Sequence, residues 1–92
     1  MDFAVFLSAE ALSDLHGGIC AEAIVSGPRA AARNANRLLD QTLSLREHPE
    51  RGTVLPEFHQ AELRELRGGS DRIVYSVNMA SRSINVVRFL QG

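Results

Sequence analysis

The residues of this 92-residue sequence with the clearest capacity for chemistry are three histidines and one cysteine. His16, His48 and His59 lack the spacing of a metal-binding motif such as H-x-x-x-H. A single cysteine, Cys20, excludes an intramolecular disulfide and a cysteine-based zinc site. Because Cys20 follows the apolar Ile19, we expect it to be a small buried hydrophobic residue. The sequence therefore predicts no metal and no cofactor.

All ten basic residues are arginines, and three of them recur every fourth residue. Arg29, Arg33 and Arg37 would form a basic stripe on a helix, which could follow phosphate groups or could be a solvated face with Asp40 as a weak partner. The net charge of -1 favours the solvated face, because the protein as a whole does not attract polyanions. The stripe is a secondary candidate for a binding site.

Length and composition restrict the class of protein. Ninety-two residues, 45% of them hydrophobic, are enough for one small domain, predicted here over residues 1–92. A core of this size favours a shallow surface site or a protein interface over a deep cofactor pocket. No segment approaches the ~20 apolar residues of a membrane span, and no signal peptide is visible. We expect a cytoplasmic protein with no membrane partner.

The first half of the chain predicts a strand followed by two antiparallel helices. Residues 3–7 form a short apolar strand, and Ser8 is a good N-cap for a helix over residues 9–25. Pro28 suits the first turn of a second helix, which should run to about residue 47. The predicted buried stripes are Leu12, Leu15, Ile19 and Ala23 on the first helix and Ala31, Ala35, Leu38, Thr42 and Leu45 on the second.

The last third of the chain predicts an antiparallel β-hairpin. Apolar and polar residues alternate over residues 72–79, and a four-residue connection leads to a second strand over residues 84–90. This loop would pair Met79 with Ile84 and Tyr75 with Arg88. The face that carries Tyr75 would then pack on the helices.

The opposite face of the hairpin is the predicted interface. It would carry Val74, Val87 and Phe89 as a contiguous exposed apolar patch, with Arg72 at its edge. Upstream, residues 53–59 should form a loop or a short extended piece around Pro56. The helix-forming residues 61–67 favour a helix by propensity alone.

Three segments of the second half resemble the RelE/ParE superfamily of bacterial toxins: residues 63–67 (LRELR), 71–77 (DRIVYSV) and 84–90 (INVVRFL). Residues 8–15, Pro28 and residues 45–52 are similar to further landmarks of that superfamily, so the resemblance covers nearly the whole chain. It implies a strand at residues 63–67. The implied fold class is α+β, with an N-terminal strand and a two-helix antiparallel hairpin packed on a small antiparallel sheet (β-α-α-β-β-β).

The resemblance also implies a toxin whose cognate antitoxin wraps around it as a hetero-oligomer. RelE-like members cut mRNA in the ribosomal A site with basic residues and a C-terminal tyrosine, whereas ParE-like members poison DNA gyrase. Arg72 occupies the position of a catalytic arginine of the RNA-cutting members. Leu63 and Glu65, however, stand where those members carry lysines, and a carboxylate there would repel the scissile phosphate. The sequence also ends at Gly92, before the position of the tyrosine-bearing tail.

We therefore expect a ParE-like toxin that binds DNA gyrase. The alternatives are a ribosome-dependent mRNA endoribonuclease, with Arg72 as its catalytic residue, and a relative that binds antitoxin without being toxic. The expected antitoxin contacts are Arg64 and Arg72 as charged partners, with Val74, Val87 and Phe89 as apolar anchors. On this view Phe89→Asp would abolish antitoxin binding and leave the fold intact. Arg88 is expected to be structural, stacked on Tyr75 or paired with a carboxylate.

Overall fold

The chain folds as a strand, a helical hairpin and four further strands in a computed structural model that describes residues 2–56 and 62–91. The elements are β1 (Ala4–Leu7), α1 (Ala9–Ser26), α2 (Pro28–Ser44), β2 (Thr53–Val54), β3 (Leu63–Gly68), β4 (Asp71–Asn78) and β5 (Ser83–Gln91). The α+β class and the predicted order of elements are confirmed. Helix α2 ends three residues earlier than predicted, and β2 lies in the segment predicted as a loop or extended piece; His59 of that segment lies outside the described residues.

The two helices are joined through a single residue, Gly27. Its φ of 92° lies in a region that favours glycine, and this backbone conformation turns the chain between the helices. The Gly27 N–H donates to the carbonyl of Ala23, and the Gly27 carbonyl accepts from the N–H of Ala31. At the other end of α1, the Ser8 hydroxyl accepts a hydrogen bond from the Ala11 N–H at 3.0 Å, as predicted for an N-cap. No helix of the described residues is long and apolar enough to span a bilayer.

The sheet is mixed rather than purely antiparallel. Its strand order is β1-β5-β4-β3-β2, and the four strands from β2 to β5 are antiparallel neighbours. Strand β1 instead runs parallel to β5, pairing Ala4 with Ser83 and Leu7 with Val86. The N-terminal strand therefore completes a sheet whose other members all come from the second half of the chain.

The predicted register of the β4–β5 hairpin is wrong. Asn78 pairs with Ser83 and Tyr75 pairs with Val86, two positions away from the predicted pairing. Between Val74 and Tyr75 the register shifts by one residue, so that Val87 is the extra residue of a β-bulge in β5. In a regular strand, Arg88 would face the helices and Phe89 would face away from them. The bulge reverses this order, so Phe89 faces the helices and Arg88 faces away.

The core lies between the helices and one face of the sheet. Its members are Phe3, Ala11, Leu38, Leu45, Ile73, Tyr75, Ile84, Val86 and Phe89. The predicted stripe on α2 is confirmed at Ala31, Leu38, Thr42 and Leu45, which are all buried. The stripe predicted on α1 is wrong at two positions, because Leu12 is 53% exposed and Ile19 is 36% exposed, while Ala11 is fully buried. Helix α1 carries apolar residues on both faces, so their spacing could not decide which face is inside.

Tyr75 ties the centre of the sheet to the turn that follows α2. Its buried hydroxyl accepts a hydrogen bond from the N–H of Gly52 at 2.8 Å. A Cβ atom at Gly52 would lie 2.6 Å from the Tyr75 hydroxyl oxygen, so only glycine fits there. Burial raises the pKa of the Tyr75 phenol above its usual value.

The bulge makes Phe89 a core residue, and this generates a prediction about stability. We expect Phe89→Ala to lower the free energy of unfolding by about 3–5 kcal/mol, because the side chain is 7% exposed and its removal leaves a cavity. Urea unfolding followed by circular dichroism measures the loss. Met79→Ala is the matched control, because Met79 is 60% exposed and should change the stability by less than about 0.5 kcal/mol.

Candidate functional site

The face of the sheet that points away from the helices, here called the outer face, carries the residues expected to form the site. Cross-strand pairing places Glu65 of β3 opposite Val74 of β4, and Val74 opposite Arg88 of β5. Arg67 and Arg72 face each other two pairs further along, on the same face. The outer face therefore brings three arginines and one glutamate around a central valine.

Arg72 does not present a free positive charge on this face. Its Nε lies 2.5 Å from Oε1 of Glu65, while Oε2 of the same carboxylate lies 3.4 Å from Nε of Arg67. The Glu65 side chain is only 13% exposed, so its charge is weakly screened by solvent. One carboxylate thus offsets part of the charge of two arginines, at the position where the sequence resemblance raised doubt about RNA cutting.

Arg64 was expected beside Arg72 but lies on the opposite face. Its register partner is Tyr75, and its side chain is 15% exposed on the helix side of the sheet. The guanidinium donates to the carbonyls of Glu50 and Gly52, at 3.1 and 2.9 Å, and forms an ion pair with Glu62. These contacts fix the turn that holds Gly52 against Tyr75, so Arg64 stabilises the fold in this structure.

The expected exposed patch of Val74, Val87 and Phe89 does not exist. Val74 is on the outer face but only 5% exposed, Val87 is the half-buried bulge residue, and Phe89 belongs to the core behind the sheet. The physical reason is the bulge, because it reverses the alternation between Val87 and Phe89. The premise that Phe89→Asp leaves the fold intact is therefore wrong, since it would place a carboxylate in the core.

Two residues of the N-terminal half, Ser8 and Asp14, bind the backbone at the bulge. The sequence did not predict this role for either of them. The N–H and the hydroxyl of Ser8 donate to the carbonyls of Val86 and Val87, both at 2.9 Å. Asp14 then accepts from the backbone N–H of Phe89 at 3.0 Å, on the edge of β5 that β1 no longer covers. No local signal near residue 87 could have revealed these contacts, which join positions more than 70 residues apart.

Asp14 also forms a two-point ion pair with Arg88. Arg88 Nε lies 2.7 Å from Oδ2 and Nη2 lies 3.0 Å from Oδ1 of Asp14. The expectation that Arg88 pairs with a carboxylate is confirmed, whereas Tyr75 lies opposite Val86 rather than Arg88. The hydrogen bond from Arg88 holds the pKa of Asp14 below its usual value.

A cleft of about 850 Å³ lies between the helical hairpin and the end of β5, and is here called the hairpin cleft. Apolar side chains of both helices and of β5 line it, with charged residues around them: Leu15, Ile19, Val25, Leu38, Phe89 and Leu90, with Glu22, Arg37 and Asp71. Val25 is 82% exposed and its neighbour Ile24 is 86% exposed. The hairpin cleft therefore has exposed apolar surface at Val25, whereas the apolar patch that we expected lay on the outer face.

The remaining chemical candidates contribute no site. Cys20 was expected to be buried but is exposed, because the side of α1 that carries it faces solvent, and its Sγ lies 3.7 Å from Nε2 of His16. Within residues 2–56 and 62–91 no three histidine, cysteine, aspartate or glutamate residues come together as metal ligands would.

The family model for the ParE toxin of type II toxin-antitoxin systems, parDE, matches residues 5–92. The chain belongs to this family. Among curated proteins, none matches the sequence significantly.

Solved structures share the fold of this ParE-family chain at low sequence identity. A chain of the chromosomal ParDE system from P. aeruginosa has a TM-score of 0.81 and 16% identity, covering 97% of this chain and 95% of that one. A chain of the RelBE2 toxin-antitoxin complex from Mycobacterium tuberculosis has a TM-score of 0.73 and 20% identity over the full length of both. A chain of the archaeal RelE-RelB complex from Pyrococcus horikoshii has a TM-score of 0.69 and 21% identity, covering 99% and 96%.

The Asp14–Arg88 pair generates a prediction about pH. Because the pKa of Asp14 is lowered in the folded state, the pair stabilises the protein above the unfolded pKa of about 3.9, and this contribution is lost as the pH falls through the folded value. We expect Asp14→Asn to lower the free energy of unfolding by about 1 kcal/mol at pH 7, since Arg88 is half exposed and solvent screens the pair.

The measurement is urea unfolding of the wild type and Asp14→Asn from pH 7 to pH 3. The difference between the two proteins should shrink below about pH 4, as the wild-type carboxyl becomes protonated. A difference that stays constant over this range would show that the charge of Asp14 contributes nothing. Asn retains one oxygen acceptor for the Phe89 N–H but loses the second acceptor for Arg88, so the dependence on pH, rather than the difference at pH 7, reports the charge.

Proposed function

We propose that this ParE-family chain is a toxin that a cognate antitoxin holds inactive and that acts on DNA gyrase without cutting RNA. The observation that argues against RNA cutting is the bond between Arg72 and Glu65 on the outer face. Cutting RNA requires groups that stabilise the negative charge developing on the phosphate. Here the arginine at the catalytic position of the RNA-cutting relatives is already paired with a carboxylate.

The position of the only tyrosine supports the same proposal. Tyr75 faces the helices, its hydroxyl is occupied by the Gly52 N–H, and its raised pKa keeps the phenol protonated at neutral pH. A general base must reach the proton that it removes. Tyr75 is fully buried and cannot reach a substrate on the outer face.

Two assays on the purified chain test the proposed target. In the first, gyrase, ATP and supercoiled plasmid are incubated with the chain, and we expect gyrase-dependent double-strand breaks. In the second, a translating extract with labelled mRNA should show no new cleavage products. Cleaved mRNA with unaffected gyrase would establish the endoribonuclease instead, and inactivity in both assays with intact antitoxin binding would establish the non-toxic relative.

Arg72→Ala gives a sharper comparison between the two activities. If the chain acts on gyrase, we expect the variant to keep gyrase-directed activity within about threefold, because the pair with Glu65 leaves Arg72 little charge to offer. An RNA-cutting enzyme would instead lose about 100-fold or more with its charge-stabilising residue. The concentration of chain that gives half-maximal plasmid cleavage measures the effect, and Arg67→Ala is the control on the same face.

The antitoxin is proposed to occupy the hairpin cleft. The ParDE and RelBE structures that share this fold come from toxin-antitoxin systems, two of them described as toxin-antitoxin complexes. In this chain the exposed side chains of Ile19 and Val25 line the cleft, and such apolar surface is typical of a protein interface. Around Val74 the outer face is charged, and its exposed apolar side chain, Phe6, lies on the edge strand β1, so we assign the outer face to the rim of the interface.

Substitution at the rim of the cleft tests this location. We expect Val25→Asp to weaken antitoxin binding at least tenfold, because a carboxylate would have to be desolvated in the interface. The fold should be unaffected, since Val25 is 82% exposed. Isothermal titration with the cognate antitoxin measures the affinity. Met79→Asp, at the far end of the β4–β5 hairpin, is the matched control and should bind like the wild type.

A further inference from the structure

The exposed side of α2 carries three arginines, one every fourth residue: Arg29, Arg33 and Arg37, here called the basic row, of which Arg37 also lies at the edge of the hairpin cleft. All three are exposed, and among the described residues none of them has a hydrogen-bond or ion-pair partner. The arginines of strands β3, β4 and β5 differ in this respect, since Arg64, Arg67, Arg72 and Arg88 are each paired with a carboxylate. The basic row is therefore the place where unpaired positive charge accumulates.

The residues around the basic row are small or polar. Ala32 and Asn36 are the exposed residues between the arginines, and no exposed large apolar side chain lies among them. A protein partner usually needs an apolar anchor at the centre of its interface. Helix α1 offers such anchors at Leu12 and Ile24, but the corresponding surface of α2 offers charge and hydrogen-bond donors. This composition fits a sugar-phosphate backbone better than a protein.

The geometry of the row fits a regular series of phosphates. Residues four apart on a helix are about 6 Å apart along its axis, so Arg29 and Arg37 are separated by about 12 Å. One strand of duplex DNA advances about 3.4 Å per phosphate, so the row faces three or four phosphates. The positive end of the helix dipole lies beside Arg29, and Asp40, the only acidic residue of α2, lies beyond Arg37.

We propose that the basic row of α2 binds the phosphate backbone of double-stranded DNA. Duplex DNA is favoured over a flexible single strand because a rigid row of fixed spacing matches a rigid backbone. Duplex DNA also has a high density of negative charge and releases bound counterions when arginines contact its phosphates. This release favours binding to a local basic patch even though the net charge of the protein is -1. This contact goes beyond the proposed action on gyrase, because it is made to DNA itself and can be measured without any gyrase present.

The test is a fluorescence-anisotropy titration of a labelled 20-base-pair duplex with the full chain at 50 and 200 mM salt. Three phosphate contacts should weaken the wild-type affinity about 40-fold between the two conditions. Arg33→Gln removes one contact, so its affinity should be lower at 50 mM and should fall only about 12-fold. The variant with all three arginines replaced by glutamine should show no measurable binding.

Arg51→Gln is the matched control, because it removes one exposed arginine outside the basic row, whose guanidinium donates to the Ser44 hydroxyl at the C-terminal end of α2. It should bind the duplex like the wild type, with the same salt dependence. Equal behaviour of Arg33→Gln and Arg51→Gln would overturn the proposal, because binding would then follow net charge alone. A single-stranded RNA that binds as tightly as the duplex would assign the row to another partner and also overturn it.

Discussion

The β-bulge at Val87 is the constraint on which the arrangement of this fold depends. Strand β5 loses the neighbour on one of its two edges where β1 ends, and Ser8 and Asp14 then satisfy the backbone groups on that edge. The extra residue turns Phe89 into the core while Arg88 remains accessible to Asp14. A regular strand would leave an arginine facing the helices and a phenylalanine facing solvent.

The sequence allowed the larger outline of the fold to be predicted, because that outline follows from local patterns. Helix α2 has a polar side and an apolar side, so its buried stripe was identified correctly. Helix α1 carries apolar residues on both faces, so contact with the sheet and α2, rather than its own pattern, determines which face is buried. The strand at residues 63–68 contradicts helix propensity and was predictable through resemblance alone.

The candidate site was harder to predict than the fold, because a one-residue irregularity decides which side chains share a face. Alternation along residues 84–90 gave no indication of the bulge, whose hydrogen-bond partners lie near the N-terminus. Arg72 and Glu65 could be placed together from the hairpin pattern and the resemblance. Arg64 could not, since its role depends on carbonyl groups of a turn twelve or more residues away.

The parallel pairing of β1 with β5 has a consequence for the order of assembly during synthesis. Residues 4–7 leave the ribosome nearly eighty residues before their strand partner at residues 83–86. Long-range pairing of this kind is slow to form, and until then the apolar strand β1 has no sheet to join. A nascent chain thus acquires neither the bulge nor the cleft beside it until β5 has emerged, so both surfaces form late in the synthesis of this domain.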